Sequence, residues 1–418
     1  MPNACHPNRL SAKLRRYAVY SPVASRSFQR GGARVNIVVA PNAFKGSLSA
    51  AQAAAAMGDG IRRVFADARI HSVPVADGGD GLLDILETPL QAERQVRRVR
   101  GPLGETTEAA FLYSPARELA VIEMAAAAGM ALLPPDRLDT LQASTHGVGQ
   151  LLEAALDLGA RHIVLGIGGS ATTDGATGLA SALGMRFLDE AGQTLAGDGA
   201  NLSHIRRIDT SSLDSRLAGI RLEVACDVDN PLLGEHGAAA VYAPQKGASA
   251  EQVTQLEQGL ANLAEVIERQ FGVDVRDLPG GGAAGGMGAG LQALFRAELK
   301  PGAQLVLELL QVEEAIAAAD LVLTGEGRLD YQTRYGKAPG AVAALASKHA
   351  VPCIAVAGML DDSAYELHEA GFSAVFSLCP GPVPLQQAVA HTAAYLARST
   401  EQAMRCLQAG RLADARAS

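Results

Sequence analysis

Several loops in this sequence carry side chains that can bind an anion, hold a cation or move a proton. Pro41-Asn42-Ala43-Phe44-Lys45-Gly46-Ser47 sets a lysine beside a small turn, a combination that suits phosphate or carboxylate. Asp77-Gly78-Gly79-Asp80-Gly81 puts two acids among three glycines, which suits Mg²⁺ or a hydroxyl proton. Gly166-Ile167-Gly168-Gly169-Ser170-Ala171-Thr172-Thr173-Asp174-Gly175 offers backbone and hydroxyl donors to phosphate oxygens, with Gly168, Gly169, Ser170, Thr172 and Thr173 as the candidates. Cys226-Asp227-Val228-Asp229-Asn230-Pro231 supplies two carboxylates and an amide, an oxygen-rich set for Mg²⁺ through Asp227 and Asp229. Pro244-Gln245-Lys246-Gly247 adds a second loop lysine. Between Gly280 and Gly290, seven of eleven residues are glycine; this reads as a hinge or a nucleotide-hugging loop containing Gly285 and Gly286, and not as a helix interior. Thr324-Gly325-Glu326-Gly327-Arg328-Leu329-Asp330 closes the set with three charges in one turn, followed by Gly336-Lys337.

Each loop has a plainer reading. Lys45 can be a solvated lysine, the Asp-Gly pairs ordinary turns, and the Asp227–Asn230 stretch an Asx turn before proline. Gly166, Gly168 and Ala171 also satisfy the G-x-G-x-x-A dinucleotide fingerprint, with Asp189 near the spacing of a ribose-binding acid. A NAD(P)-dependent oxidoreductase therefore stays open as an alternative, as does a non-catalytic metabolite-binding protein. The sequence has no G-x-x-x-x-G-K-[ST], no H-R-D with D-F-G and no G-x-S-x-G. The sum of the loops is a multi-loop anion and Mg²⁺ site, which is what phosphoryl transfer requires.

The elements needed to position these loops follow from periodicity. Val35–Ala40 is an apolar strand, an alanine-rich helix spans Ser49–Phe65 with Ser47 or Ser49 as N-cap, and Ile70–Val75 is a second strand. That β-α-β rhythm predicts a parallel sheet. Arg94–Arg100, Ala109–Tyr113 and Leu119–Ile122 alternate as antiparallel strands, and Arg161–Leu165 and Leu222–Ala225 are apolar strands. A helix should begin near Asp174, and Glu251–Phe271 is a long amphipathic helix. Strand and helix then alternate again: Asp320–Thr324, Ala338–Lys348, Pro352–Val356, Ala364–Ala370, Ala374–Leu378 and a long final helix over Val383–Leu407. Two regular ends around a mixed middle predict one discontinuous α/β domain with a second domain inserted.

Composition excludes several classes. The 418 residues are 48% hydrophobic and carry a formal net charge of −8, so nothing draws the chain to nucleic acid, and the absence of tryptophan leaves few stacking platforms. No apolar run is long enough for a membrane helix. The five cysteines are odd in number and widely spaced, which predicts reduced thiols in a cytoplasmic protein. Residues 1–34 contain arginines and lysine but no acid; we expect a disordered N-terminal extension from an upstream start, with a transit peptide as the alternative.

Taken in order, Asn42–Ser47, Val75–Gly81, Gly166–Gly175, Cys226–Leu232, Ala243–Ala248, Gly285–Gly288, Leu323–Asp330 and Gln332-Thr333 with Gly336-Lys337-Ala338-Pro339 resemble the motifs of bacterial glycerate kinases. The resemblance runs from about Val35 to about His391. It implies an ATP- and Mg²⁺-dependent kinase acting on (R)-glycerate, a small-molecule substrate, usually at the 2-hydroxyl. It implies an α/β fold of two domains: a discontinuous flavodoxin/Rossmann-like parallel-sheet domain from residues 35–88 and 300–418, and an inserted mixed α/β domain over 89–299. An oligomer is compatible with it. On this reading Lys45 and Arg328 hold the glycerate carboxylate or the transferred phosphoryl, and Ser170, Thr172 and Thr173, with Gly168, Gly169, Lys246, Gly285 and Gly286, cradle ATP. Asp227 and Asp229 hold Mg²⁺, and Asp77 or Asp330 accepts the substrate proton. The first motif in this family commonly begins Asp-Ser; here Asn42-Ala43 stand instead, removing a carboxylate and a hydroxyl near Lys45.

Overall fold

A computed structural model describes residues 34–78, 81–334 and 336–417. The N-terminal extension, apart from Arg34, lies outside the described residues, as do Gly79 and Asp80 of the first acidic loop.

Two sheets organise the described chain. Strands β1 (Asn36–Val39) and β2 (Arg69–Ser72) begin the first sheet. Then β3 (Glu93–Arg100), β4 (Thr106–Ser114), β5 (Leu119–Glu123), β6 (His162–Gly166), β7 (Arg221–Ala225) and β8 (Glu298–Lys300) make the second. Strands β9 (Leu321–Thr324), β10 (Cys353–Ala357) and β11 (Ala374–Ser377) return to the first. The first sheet has the order β11-β10-β9-β1-β2 and is parallel throughout. The second has the order β8-β7-β6-β5-β4-β3; β3, β4 and β5 pair antiparallel, whereas β5, β6, β7 and β8 pair parallel. This is a mixed α/β architecture built on parallel sheets. A three-stranded antiparallel sheet of Arg186–Leu188, Thr194–Leu195 and Arg207–Asp209 is a feature that the hydropathy of such short runs does not reveal.

Local chemistry explains the elements next to the loops. The helix Ala50–Arg62 starts at Ser49, whose hydroxyl accepts from the Gln52 amide while the Gln52 side chain caps Ser49 in return. It buries Ala50, Ala53, Ala54, Met57 and Ile61, the spacing of a single helix face. β2 ends at Ser72, earlier than its apolar pattern predicts, although Val73 N–H still donates to Val39 O at 2.9 Å. The chain nevertheless continues alongside β1, with Val75 N–H donating to Pro41 O at 3.0 Å. The glycine-rich stretch after Gly280 does not form a bare loop. Ala284, Gly285 and Gly286 have left-handed backbones, and a helix continues to Phe295. Glycine is needed inside that helix, since a Cβ on Gly288 would strike Gly280 O and one on Gly290 would strike Gly175 O. The final helical segment is two helices, Leu385–Ala390 and Thr392–Ala417, broken at His391. The helix expected near Asp174 begins at Thr177, because the Asp174 carboxylate instead accepts from the amides of Ala176 and Gly178, both at 3.3 Å.

The sheets meet at their C-terminal strand ends. The helix Gly302–Leu309 gives Ala303 and Leu307 to the core under the first sheet, and Leu305 and Val306 to a core shared with Leu82, Leu86 and Val164 of the second. Each of the buried leucine and valine side chains is worth roughly 1.5–3 kcal/mol. Gly302 and Gly78 touch backbone to backbone, and a Cβ on Gly302 would run into Asp77 O. Gly302→Ala should lower stability by about 1–3 kcal/mol, the scale of an overpacked core. Gly192→Ala, whose Cβ would meet no atom within 4 Å, should cost about 1–2 kcal/mol through its left-handed backbone alone. Denaturant midpoints check the pair, and the Gly302 variant alone should also lose ligand affinity, because its strain is at the junction of the sheets.

Candidate active site

The loops singled out in the sequence converge at this junction. A cleft with about 660 Å³ of empty space is lined by Gly78, Ile167, Gly168, Gly169 and Ser170, by Ala225, Cys226, Asp227 and Val228, by Tyr242 and Lys246, and by Ala283 and Ala284. On the side of the second sheet, the turn after β6 presents three consecutive amides. Among the described residues, the N–H groups of Gly168, Gly169 and Ser170 have no hydrogen-bond acceptor, and Gly169 has a left-handed φ of 72°. Successive free amides around a left-handed residue form a concavity that binds anions.

Behind this turn the packing is dense. Lys246 is only 2% exposed, and its ammonium donates to Ser170 Oγ at 2.8 Å and to Thr172 O. Burial pushes the Lys246 amine down to about 7, while the negative charge of Asp174 opposes that shift. Asp174 is itself buried, and its carboxyl is pushed up to about 6 by desolvation despite hydrogen bonds from the Thr145 amide and hydroxyl, both at 2.7 Å. The Thr173 hydroxyl is buried against Thr140 Oγ1 at 2.8 Å, and Thr172 Oγ1 is buried without a partner. Gly285 and Gly286 pack behind the turn; a Cβ on Gly285 would collide with Thr172 O, and Gly175 N–H donates to Gly285 O at 3.1 Å. The turn therefore offers its backbone to the cleft, together with Ser170 and Lys246, while Thr172, Thr173, Gly285 and Gly286 hold its shape.

Asp227 stands at the end of β7, with Oδ1 accepting the Gly302 amide at 2.7 Å. The residue keeps an exposed edge, but crowding by the cleft wall and then the negative charge of Asp77 push its carboxyl up to about 6, with the Gly302 amide pulling the other way. Among the described residues no group of three or more His, Cys, Asp or Glu side chains forms a ready metal cage. Mg²⁺ needs less than a cage, since one or two carboxylates with waters and substrate phosphates suffice. A raised carboxyl facing a cleft whose other wall carries free amides fits that donor set. Asp229 is exposed and does not line the cleft.

The first sheet contributes a charged cluster where its strand order reverses between β1 and β9, the place where open α/β sheets bind ligands. Asp77 Oδ2 accepts from Asn42 Nδ2 at 2.9 Å, and Oδ1 accepts from the Ala338 amide at the start of the helix Ala338–Lys348 at 2.6 Å. Asp330 is 7% exposed; Oδ1 accepts from the Gln332 amide at 3.0 Å and from Lys337 Nζ at 3.3 Å, and Oδ2 lies 3.4 Å from Arg328 Nε. Arg328 also pairs with Asp361 at 3.1 Å. Lys45 is exposed at the tip of its loop, close to the Gly327 backbone. Glu326, which in sequence is only one of three charges in its loop, is 7% exposed at the end of β9. Desolvation, partly offset by Lys337 and reinforced by Asp77 and Asp330, pushes its carboxyl up to about 7. The signal in the sequence is a lone Glu between two glycines after an apolar strand. Its surroundings come from segments that follow it in the chain: Thr333, Lys337 and Gly358.

The dinucleotide reading does not fit this geometry. Asp189 lies in a turn, accepting the Gln193 amide at 2.8 Å, and its strand belongs to the small antiparallel sheet and not to the neighbour of β6. An acid placed there cannot reach a ribose bound at the Gly166–Ala171 turn in the manner that the fingerprint requires.

A mixed α/β architecture on parallel sheets, with an anion-binding turn lining a cleft where the sheets meet, fits an enzyme site for a phosphorylated or carboxylated small molecule. The chain belongs to the glycerate kinase family, whose model matches residues 37–408. It is 48% identical over 353 residues to a glycerate kinase of Halalkalibacterium halodurans, covering 84% of this chain and 93% of that protein. It is 45% identical over 344 residues to the glycerate 2-kinase of Escherichia coli K12, covering 82% of this chain and 90% of that protein. A crystal structure from Salmonella typhimurium LT2, described as a glycerate kinase 2, superposes with a TM-score of 0.82 at 41% identity, covering 91% of this chain and all of that one. Among the described residues no helix is long and apolar enough to cross a membrane.

The Asn42–Asp77 hydrogen bond gives a direct test of the charge balance. Asn42→Asp would set two carboxylates at hydrogen-bond distance, raising the proton affinity of one of them. The native state would then hold a proton that the unfolded chain releases, so the penalty grows as pH rises. Relative to wild type, the variant should be less stable by about 1–3 kcal/mol at pH 8 and by clearly less at pH 5, measured by denaturant unfolding.

Proposed function

We propose that this protein transfers the γ-phosphoryl group of ATP to (R)-glycerate, giving 2-phosphoglycerate and ADP. The observation that carries the reading is the run of free amides at Gly168–Ser170, which line one cleft together with Asp227 and Lys246. Phosphoryl transfer asks mainly for positioning and charge stabilisation. The free amides and Lys246 would take the ATP phosphates. Mg²⁺, when bound, would neutralise charge on those phosphates, and Asp227 is the residue that would hold it. Lys45 and Arg328 would take the carboxylate of glycerate or the phosphoryl in transit. Lys45 has no hydrogen bond or ion pair to a described residue, so its charge is available. Arg328 is shared with Asp330 and Asp361 and would have to turn from them.

The same reading gives the two sheets separate tasks. Residues 35–88 and 300–418 would form a flavodoxin-like domain that presents glycerate, and residues 89–299 an inserted domain that presents ATP, both working in the cytoplasm. A strand order of β2-β1-β9-β10-β11 supports the first half of that division.

The decisive experiment is ATP consumption by the purified protein with Mg²⁺ and (R)-glycerate, followed by phosphorus NMR of the product. A glycerate-dependent 2-phosphoglycerate signal is expected. A 3-phosphoglycerate signal would correct the position of transfer, and ligand binding without turnover would favour a non-catalytic metabolite-binding protein. Lys45→Ala should lower kcat/KM roughly tenfold to a thousandfold, the range for removing one charged group that stabilises a transition state. A decrease below about threefold in steady-state assays would remove Lys45 from the site.

A further inference from the structure

We propose that Glu326 is the group that takes the proton from the substrate hydroxyl, with Asp77 and Asp330 acting as positioning residues; this rests on the kinase reading above. The three acids stand around the reversal point of the first sheet, and their hydrogen bonds separate them. Both oxygens of Asp77 are occupied, by Asn42 Nδ2 and by the Ala338 amide. Both oxygens of Asp330 face donors or cations: the Gln332 amide, Lys337 and Arg328. Each oxygen of these two residues thus already has a partner, which leaves fewer of their acceptor sites for a ligand.

Glu326 differs in one atom. Its Oε1 accepts from Thr333 Oγ1 at 3.3 Å and lies 3.9 Å from Lys337 Nζ. Its Oε2 accepts no hydrogen bond from a described residue. The residue is 7% exposed overall, so the carboxylate is largely withdrawn from bulk water. The backbone around it is clamped on both sides. Asn42 N–H donates to Gly325 O at 2.8 Å, Gly358 N–H to Glu326 O at 3.1 Å and Met359 N–H to Gly327 O at 3.0 Å. A Cβ on Gly325 would collide with Val356 O, so the strand end cannot shift without breaking β10. The charged groups facing the carboxylate are Lys337, Asp77 and Asp330. Its carboxyl near 7 is basic enough to accept a proton and still half ionised at neutral pH.

In the transfer step, the hydroxyl proton of the substrate moves to Glu326 Oε2 as the hydroxyl oxygen bonds the γ-phosphorus of ATP. The bond from that phosphorus to the β–γ bridging oxygen breaks, and ADP leaves with its electron pair. Glu326 then returns the proton to water.

The test compares the wild-type protein with Glu326→Gln and Asp330→Asn, measuring kcat and KM for (R)-glycerate with saturating Mg²⁺-ATP from pH 5.5 to 9. For Glu326→Gln, kcat should fall roughly a hundredfold or more, within the range for removal of a general base. KM should change little, and the rise of kcat through about pH 7 should vanish. Asp330→Asn should keep that rise. A Glu326→Gln protein that retains kcat within about threefold, or keeps the rise, overturns the inference. If that variant does not fold by circular dichroism, Glu326→Asp serves: it draws the carboxylate back by one methylene, so kcat should fall while the rise remains, and unchanged kcat overturns the inference. Wild-type turnover is the control. Its absence overturns the functional reading and this inference with it, whereas an active wild type beside an equally active variant overturns this inference alone.

Discussion

The site depends first on the backbone meeting of Gly78 with Gly302. Each lies at a strand end, Gly78 beyond β2 of the first sheet and Gly302 just after β8 of the second. With no side chain on either, the sheets approach until Asp77 and Asp227 feel each other's charge. A second tie lies beside it, where Glu123 at the end of β5 accepts the Leu82 amide at 2.7 Å and so anchors the short helix Leu82–Leu86. The helix Gly302–Leu309 then fills the space between the two cores. Segments more than two hundred residues apart in sequence are tied together next to it, as the hydrogen bond of the Ala338 amide to Asp77 illustrates.

Charge in this cleft is unevenly distributed. Asp227 lines it, Asp77 lies close enough to act on both Asp227 and Glu326, and desolvation raises Asp227 and Glu326 in particular. A net charge of −8 gives no long-range attraction to an anionic ligand. Binding must therefore come from short-range donors such as the free amides after β6, with Lys246 behind them. Carboxyls with a raised proton affinity and fixed amide dipoles keep the site compatible with its own negative charge. Asn42 does the same locally, donating to Asp77 where an acid would repel it.

Much of this is readable in the order of residues alone. The strands that end at each loop are short apolar runs, and their ends in the structure fall within a few residues of the pattern, as for β9 at Leu321–Thr324 and β10 at Cys353–Ala357. The glycine turn after β6 announces an anion site, and its free amides agree with that chemistry. Other features are not readable. Met287–Phe295 is helical although glycine-rich, because the tertiary packing of Gly288 and Gly290 against carbonyls outweighs a propensity cost of about 1 kcal/mol per glycine. Thr172 and Thr173 look like phosphate ligands in sequence, but their hydroxyls are buried: Thr173 spends its own on Thr140, and Thr172 Oγ1 is enclosed without a partner.

By itself the sequence determined residue chemistry and local form: which loops carry donors, which carry acids, which segments alternate between strand and helix, and the family to which their order points. Tertiary structure alone decided what those groups are able to do. It committed the oxygens of Asp77 and Asp330 to partners, left Oε2 of Glu326 without a donor among the described residues, buried Lys246 and kept Asp229 out of the cleft lining. The physical reason is that hydrogen-bond partners and desolvation depend on distant segments meeting, and no local pattern encodes which of several similar carboxylates will be left without a donor.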